Sequence, residues 1–471
     1  MHKRLKNLID NTKEIFSTDF LDRIARKTGF TIRRGKIDAK TFLAFNSFSG
    51  YDIGKNSLST LSARLQSQYN VSLSPQALNE RFNNCSADFM KEVFKTLILK
   101  ENKILNAQNY KYYFNRIIVN DSTVFDLPER FYSEFKGNGG VRSKSAIKIQ
   151  LQYDLLSGNF TCCDTFNGSA NDASYIDTMN ENTKSGDLRL ADLGYYKAEY
   201  FKNIDEKEAF FISKIKSTLA LYRKNYNPRF TRNGKLIKSS EYIKIDALEL
   251  IKPLADGETI ELKDIYIGSK KELKSRLIIT KLLEEGKQKR KIKQEKALKR
   301  ECRKKNNRNM AWTELNAYIT NVPETVLSKE QIHDIYSLRW QIEIMFKIWK
   351  SIFKITEIKN VKIERFKCFL YGRLISILFS STIVFSAKHI LHEENSKEIS
   401  ELKAFSQVYE FFPMLRTIIF KDEISILYLL ENIINTLRRF AIKSVKRGKK
   451  SIEEILNHIL LSERDLSYMV I

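Results

Sequence analysis

Between Ser328 and Ile355 the chain runs without a proline or a glycine, and no other stretch restricts the fold as much. It opens on Ser328-Lys-Glu-Gln331, a capping-box pattern in which the serine and glutamine satisfy backbone donors left over at a helix start. At about 100° of turn per residue, Tyr336, Arg339, Glu343 and Lys350 fall within an arc of about 60°. Leu338, Ile342, Met345, Phe346, Trp349 and Phe353 gather on the opposite side. The pattern predicts one continuous helix with a core face, and a polar face that sets a carboxylate between a phenol and two cations. Glutamate, arginine and lysine along a helix ordinarily mean only a solvated stripe. Here the spacing Tyr-x2-Arg-x3-Glu-x6-Lys, and the acids upstream of it, point to chemistry.

Length and charge bound the rest. A chain of 471 residues exceeds one simple core, so two to four domains are expected. Its 42% hydrophobic content excludes wholesale disorder. The formal net charge is +25, and twelve basic against two acidic residues lie between Lys287 and Arg308. An excess this large, partly concentrated and partly spread, favours a polyanion partner, with nucleic acid ahead of a membrane surface. The five cysteines lack metal-ligand spacing and read as packing residues in a reducing compartment. The longest near-apolar run, Leu374 to Ala387, is too short for a membrane span and predicts a buried core helix. A soluble, cytoplasmic protein without membrane contact, acting at the nucleoid, is the expectation.

Residues 1–105 read as helical. Ser57 to Tyr69 has apolar positions at helical spacing, a short polar turn follows, and Pro75 to Phe82 starts with proline at a first helical position. Two short helices joined by a tight turn suit a helix-turn-helix, and Gln76, Asn79 and Arg81 are residue types that read base edges or phosphates. A helical hairpin with no DNA contact is the competing reading. Residues 106–216 change period: Arg116 to Asp121, Ile147 to Tyr153, Phe160 to Phe166, Leu188 to Asp192 and Ala209 to Ile215 are strand-like, with helical stretches between the later ones. That is a mixed α/β layout. Residues 217–310 read as a mainly β insertion ending in the basic arm. Residues 311–395 return to the core with the organising helix, and 396–471 form a helical C-terminal region with a second basic patch at Lys446 to Lys450.

Asp121 and Asp192 each end a short apolar strand, and Glu343 projects from the polar helix face. Three carboxylates brought together repel unless cations or protons intervene. Hard divalent ions with oxygen ligands, Mg²⁺ or Mn²⁺, solve that problem. Two such ions, about 3.5–4 Å apart, activate a water or a 3′-hydroxyl and stabilise the leaving oxygen in phosphodiester cleavage. Any one of these acids alone reads more simply as a cap or a surface residue, and Asp126, Asp154, Asp164, Asp172 and Asp187 compete nearby.

The order Asp121, Asp192, Glu343, with Tyr336, Arg339 and Lys350 around the glutamate, resembles the IS4-type DDE transposases of bacterial insertion sequences. Asp192-Leu-Gly-Tyr-Tyr is similar to that family's second-aspartate box, Asp121-Ser-Thr to its first, and Tyr336-x2-Arg339-x3-Glu343-x6-Lys350 to its YREK signature. The resemblance implies a ribonuclease-H-like mixed-sheet core interrupted by a β insertion and flanked by helical regions. It implies a homodimer that synapses double-stranded transposon ends, the terminal inverted repeats, and moves them into target DNA by cut and paste. Asp121, Asp192 and Glu343 would ligate metal, while Tyr336, Arg339 and Lys350 would contact DNA phosphates. Relatives stack a tryptophan of the insertion on a displaced base; here Trp312 lies four residues before that place, where Asn316 stands, so the excision route stays open. Two other classes use the same residues: a ribonuclease-H-like DNA nuclease without strand transfer, and an inactive DNA-binding regulator descended from a transposase.

Overall fold

A computed structural model describes residues 3–33, 35–105, 112–139, 143–195, 197–271, 273–302, 304–395, 398–444 and 450–461. They fall into two compact units. The first comprises Met1–Gln108, Asp121–Ala170 and Gln341–Lys449; the second comprises Asn109–Asn120, Asn171–Trp340 and Lys450–Ile471.

The second unit is built on a sheet. The first half of β1 (Arg116–Leu127) pairs in parallel with β4 (Asp187–Ala191), and β4 in parallel with β5 (Phe210–Lys214). Every residue of β4 is buried, so both faces of this strand are covered, as parallel sheets require. Its Arg189 is accommodated by donating to the Met179 carbonyl. β10 (Leu315–Thr320) lies antiparallel to β5 on one side and to β9 (Leu273–Lys281) on the other. β9 pairs with β8 (Thr259–Ile267), β8 with β6 (Leu221–Lys224), and β6 with β7 (Tyr242–Ile245). The predicted β insertion therefore does not close a separate sheet; through β10 its strands continue the one that carries β4 and β5. The basic arm is the helix Glu284–Arg300, with no buried residue, followed by the short helix Asn307–Ala311.

The first unit holds the hairpin of β2 (Ser145–Asp154) and β3 (Phe160–Asn167), paired from Ile147–Asn167 to Tyr153–Phe160 as the alternation predicts. With β1 shared, the strand order β3-β2-β1-β4-β5 and the parallel pairing of β1, β4 and β5 make this the ribonuclease-H-like α/β fold. The core helix of the unit is Ile363–Asn395, and its apolar stretch is buried against neighbouring helices, as expected for the run Leu374 to Ala387. Gly372 lets the helix Ala39–Phe48 approach closely: a Cβ there would sit 2.4 Å from the Asn46 carbonyl oxygen. The N-terminal region shares aromatic packing with the core helix, Phe16 against Phe379 at 5.3 Å, and with the C-terminal region, Phe48 against Phe412 at 5.4 Å.

The helix-turn-helix geometry forms from its own caps. Ser57 accepts from the Thr60 amide to start Leu58–Tyr69, Asn70 ends it in the left-handed region, and Ser74 accepts from Ala77 to start Pro75–Arg81.

Three local expectations need correction. β1 does not stop at Asp121 but runs to Leu127, because Thr123, Phe125 and Leu127 go on alternating inward. The organising stretch is not one helix: Ile332–Ser337 ends and Trp340–Ser351 begins anew. The amides of Leu338 and Arg339 donate to the carbonyls three residues back, a tightened turn that breaks the α-helical ladder without proline or glycine. Half of the predicted capping box forms: the Ser328 amide donates to Gln331 Oε1, while the Ser328 hydroxyl turns to Glu330. Residues 446–449 of the second basic patch lie outside the described residues.

Candidate active site

In the first unit, Asp121, Ser122, Thr123, Glu343, Phe346, Lys347, Lys350 and Ser351 line one open hollow of about 590 Å³. Asp121 stands on a rigid strand, and its Oδ1 accepts from the Ser122 amide at 2.8 Å. Glu343 and Lys350 are aimed by the helix Trp340–Ser351, whose other face buries Ile342, Met345, Ile348 and Trp349. With that face fixed in the core, the polar positions have one direction left. Lys350 opens to solvent, yet neighbouring atoms remove enough water to hold its ammonium below the ordinary lysine value.

In the second unit, Asp192 follows the last residue of β4, and Lys214 is the last residue of β5. The register pairs Ala191 with Ser213, so Asp192 and Lys214 come next on adjacent parallel strands. The Lys214 ammonium is held down to about 8, first by burial and then by the neighbouring Arg290; Asp192 opposes the shift, while Arg339 and Lys293 add to it. On β10, Tyr318 lies across from Lys214, and its hydroxyl shares a 2.7 Å hydrogen bond with His333 Nδ1. The Tyr336 ring packs 5.0 Å from the Tyr318 ring and is buried.

The sequence-predicted residues thus separate into sets. Asp121, Glu343 and Lys350 share a hollow of the first unit; Asp192 and Arg339 both act on Lys214 in the second. Tyr336, expected on the polar face, is seated in aromatic packing. Gln76 is exposed and Asn79 half-exposed, but Arg81 turns into the fold, with its guanidinium 3.8 Å from the Phe30 ring centre and donating to the Ile37 carbonyl. Asn316 accepts from Arg290 at 2.6 Å. Tyr196 of the second-aspartate box lies outside the described residues. Among the competing acids, Asp187 pairs with Arg116, and Asp154 accepts from the Leu156 amide and the Ser157 hydroxyl, which closes the β2–β3 turn. Sequence reasoning missed Lys214 and Arg290. Lys214 could have been found by the signal that found Asp192, a polar residue ending a short apolar strand.

Over residues 112–379 the sequence matches the family described as the transposase DDE domain. It is 49% identical to the transposase of insertion sequence element IS1151 from Clostridium perfringens, with the whole of both chains covered. It is 34% identical to the transposase of IS231B from Bacillus thuringiensis subsp. berliner, over 93% of this chain and 92% of the relative. A solved piggyBac transposase synaptic complex with hairpin DNA has a TM-score of 0.44 at 10% identity, covering 95% of this chain and 87% of that one. The chain belongs to the DDE transposases, in their IS4-type branch. Its activity is that of a DNA transposase, a polynucleotidyl transferase and endonuclease that depends on divalent metal.

The donor chemistry fits such an ion. Asp121 and Glu343 present hard carboxylate oxygens to a single hollow. Mg²⁺ is commonly held by one or two carboxylates, with substrate phosphates and water completing its shell. Among the described residues no group of three His, Cys, Asp or Glu side chains is gathered for a metal.

Proposed function

We propose that Asp121, Asp192 and Glu343 are the metal ligands of a cut-and-paste transposase using two Mg²⁺ or Mn²⁺ ions. Its substrates are the double-stranded terminal inverted repeats and the target DNA, handled by a homodimer in a synaptic complex. The observation that carries the reading is the convergence of Asp121, Glu343 and Lys350 on one hollow, from a strand and a helix far apart in sequence. When bound, the ions supply activation of the attacking water or 3′-hydroxyl and stabilisation of the leaving oxygen. The chain supplies position. The Ser122 amide holds Asp121 in one orientation, and the buried helix face fixes Glu343. Lys350, seven residues on, offers a cation to the phosphate next to the cleaved bond, and Arg339 offers a fork that grips phosphate through two oxygens. Gln76 and Asn79 on the exposed side of Pro75–Arg81 read the terminal repeat.

The test is cleavage of duplexes bearing the inverted repeats that flank the gene. Glu343→Gln, Asp121→Asn and Asp192→Asn should each abolish cleavage in Mg²⁺ while DNA binding persists, because size and hydrogen bonding stay but one anionic ligand is lost. Full cleavage by any of the three removes that residue from the ligand set. Joining of the cleaved end to a target plasmid separates a transposase from a nuclease, and sedimentation of the protein–DNA complex reports the dimer.

A further inference from the structure

The helix Ile332–Ser337 is six residues long and starts without a side-chain cap. A helix this short is not stable by itself, so its place is set by what packs on it. One side is seated on the sheet: Ile332, Ile335 and Tyr336 are buried, the Tyr336 ring lies against Tyr318 of β10, and the Tyr318 hydroxyl is bonded to His333. The tight turn at Leu338 and Arg339 follows this helix directly, so whatever holds the helix also holds the turn.

A second hold comes from far along the chain. Lys450, 116 residues after Asp334, donates to Asp334 Oδ2 at 2.6 Å. Ser451 and Glu454 then close a capping box that starts the helix Ile452–Leu456. His458 returns to the same place. Gln331 Oε1 accepts from the Ser328 amide, which leaves Gln331 Nε2 facing His458 Nδ1 at 3.3 Å. An amide nitrogen only donates, so Nδ1 is the acceptor and the imidazole proton sits on Nε2, 3.6 Å from Asp334 Oδ2. The segment is also seated without Asp334. Ile455, Leu456 and Ile459 are buried, the Ile459 carbonyl accepts from the Tyr113 amide at 2.9 Å, and Leu460 forms an antiparallel bridge with Tyr112, just before β1. A partly exposed ion pair alone fixes little. Asp334, however, takes two contacts from a segment that is already anchored, and so passes that anchorage to its own helix.

We propose that Asp334 is a positioning residue for DNA cleavage. Through it the C-terminal segment Lys450–Leu460 straps the helix Ile332–Ser337 in place and sets the turn that carries Arg339, an inference that rests on the reading of Arg339 as a phosphate contact.

The test uses full-length protein and an inverted-repeat duplex, with Kd measured in EDTA and single-turnover cleavage followed in Mg²⁺ at saturating protein. Asp334→Ala should slow cleavage about tenfold, because slight misplacement of a group that orients substrate is costly, and should change Kd less than about threefold. A loss of stability alone would leave the rate of the folded, bound protein unchanged. Asp334→Glu keeps the charge and should recover most of the rate. Lys450→Ala should slow cleavage about threefold and, in the Asp334→Ala background, no further. Normal cleavage by a normally melting Asp334→Ala overturns the proposal. So do additive losses, or a Lys450→Ala that weakens binding and lowers the slope of log Kd against log salt by about one, since either makes Lys450 a DNA contact in its own right. Lys450 is exposed, so Lys450→Ala and Asp334→Glu remain informative should Asp334→Ala fail to fold. Arg339→Ala in the same assay keeps the two readings apart. Normal cleavage by Arg339→Ala removes the phosphate contact and this proposal with it; slow cleavage by Arg339→Ala beside normal cleavage by Asp334→Ala removes the strap alone.

Discussion

Arg116 and Asp187 form a two-point ion pair at the start of the parallel β1–β4 ladder, Nε to Oδ1 at 2.7 Å and Nη2 to Oδ2 at 2.5 Å. They are also register partners. Asp121 follows Arg116 by five residues, and Asp192 follows Asp187 by the same number. A slip of one residue in a parallel pair turns every side chain to the other face, so a buried pair at the first rung fixes which face later residues take. Asp187 is fully buried and also accepts from the Lys184 amide. Asp187→Asn leaves the Arg116 guanidinium without its counter-charge, and loss of one partner of a buried pair costs about 3–5 kcal/mol. Urea unfolding should show a loss of that order; a change below about 1 kcal/mol would mean that hydrophobic packing alone sets the register.

Gly158, in the turn between β2 and β3, adopts φ +77°, and a Cβ there would lie 2.1 Å from Phe385 Cγ. The ring cannot swing freely away, because it packs edge-on against Tyr153 at 6.0 Å. The turn is held to the same helix by the Ser381 hydroxyl, which donates to the Gly158 carbonyl at 2.8 Å. Gly158→Ala combines left-handed strain with overpacking and should destabilise by roughly 3 kcal/mol. Phe385→Leu in the Gly158→Ala background should recover part of that loss. Additive losses in the double variant would show that the ring is not the obstacle.

Local patterns made much of this legible. The β2–β3 alternation, the helix-turn-helix caps and the core face of Trp340–Ser351 are all written in neighbouring residues. Long-range features were not. Nothing near Leu315 says that its strand will pair with both β5 and β9, so the insertion looked like a separate subdomain. The arm read as twelve repelling charges because Asp246 and Asp256, which pair with Arg308 and Lys287, lie some thirty to sixty residues away. The break at Leu338–Arg339 lacks proline and glycine, and so a helix-period argument carried Tyr336 and Arg339 onto the face of Glu343. Of the candidate site, Asp121, Glu343 and Lys350 were legible through spacing, whereas Lys214 needed the β4–β5 register.

His389 supplies a pH-dependent part of the stability of the first unit. Burial, then Arg4 and Lys388, hold its imidazole down to about 4, while its Nε2–H donates to the Leu156 carbonyl at 3.2 Å. The folded value lies below the unfolded value of about 6.5, so the unfolded chain binds the proton more tightly. This contribution is complete above about pH 6.5 and is lost as pH falls toward 4, up to about 3 kcal/mol. His389→Gln keeps an N–H for Leu156 and does not titrate. Urea midpoints measured from pH 7 to 4 should fall less steeply for the variant than for the unmodified protein; parallel curves would place the acid sensitivity elsewhere.

On the proposed reading, recognition and stability divide unevenly over the helix Pro75–Arg81. Gln76 is exposed, Asn79 half-exposed, and both are residue types that pair with adenine through two hydrogen bonds. Arg81 has the chemistry to read guanine, but its guanidinium stacks on Phe30 and donates to Ile37, and burial holds its pKa below the ordinary arginine value. Gln76→Ala and Asn79→Ala should leave thermal melting unchanged. Each should reduce the preference for cognate over scrambled ends about tenfold, since a good bidentate base contact discriminates by roughly 1–3 kcal/mol. Arg81→Gln should lower stability by roughly 2 kcal/mol through lost stacking and an unsatisfied carbonyl, while the folded protein keeps its preference. Melting curves, with binding to cognate and scrambled duplexes at two salt concentrations, separate these effects. If Arg81→Gln collapses the preference at unchanged stability, its side chain leaves Phe30 on binding and reads DNA itself.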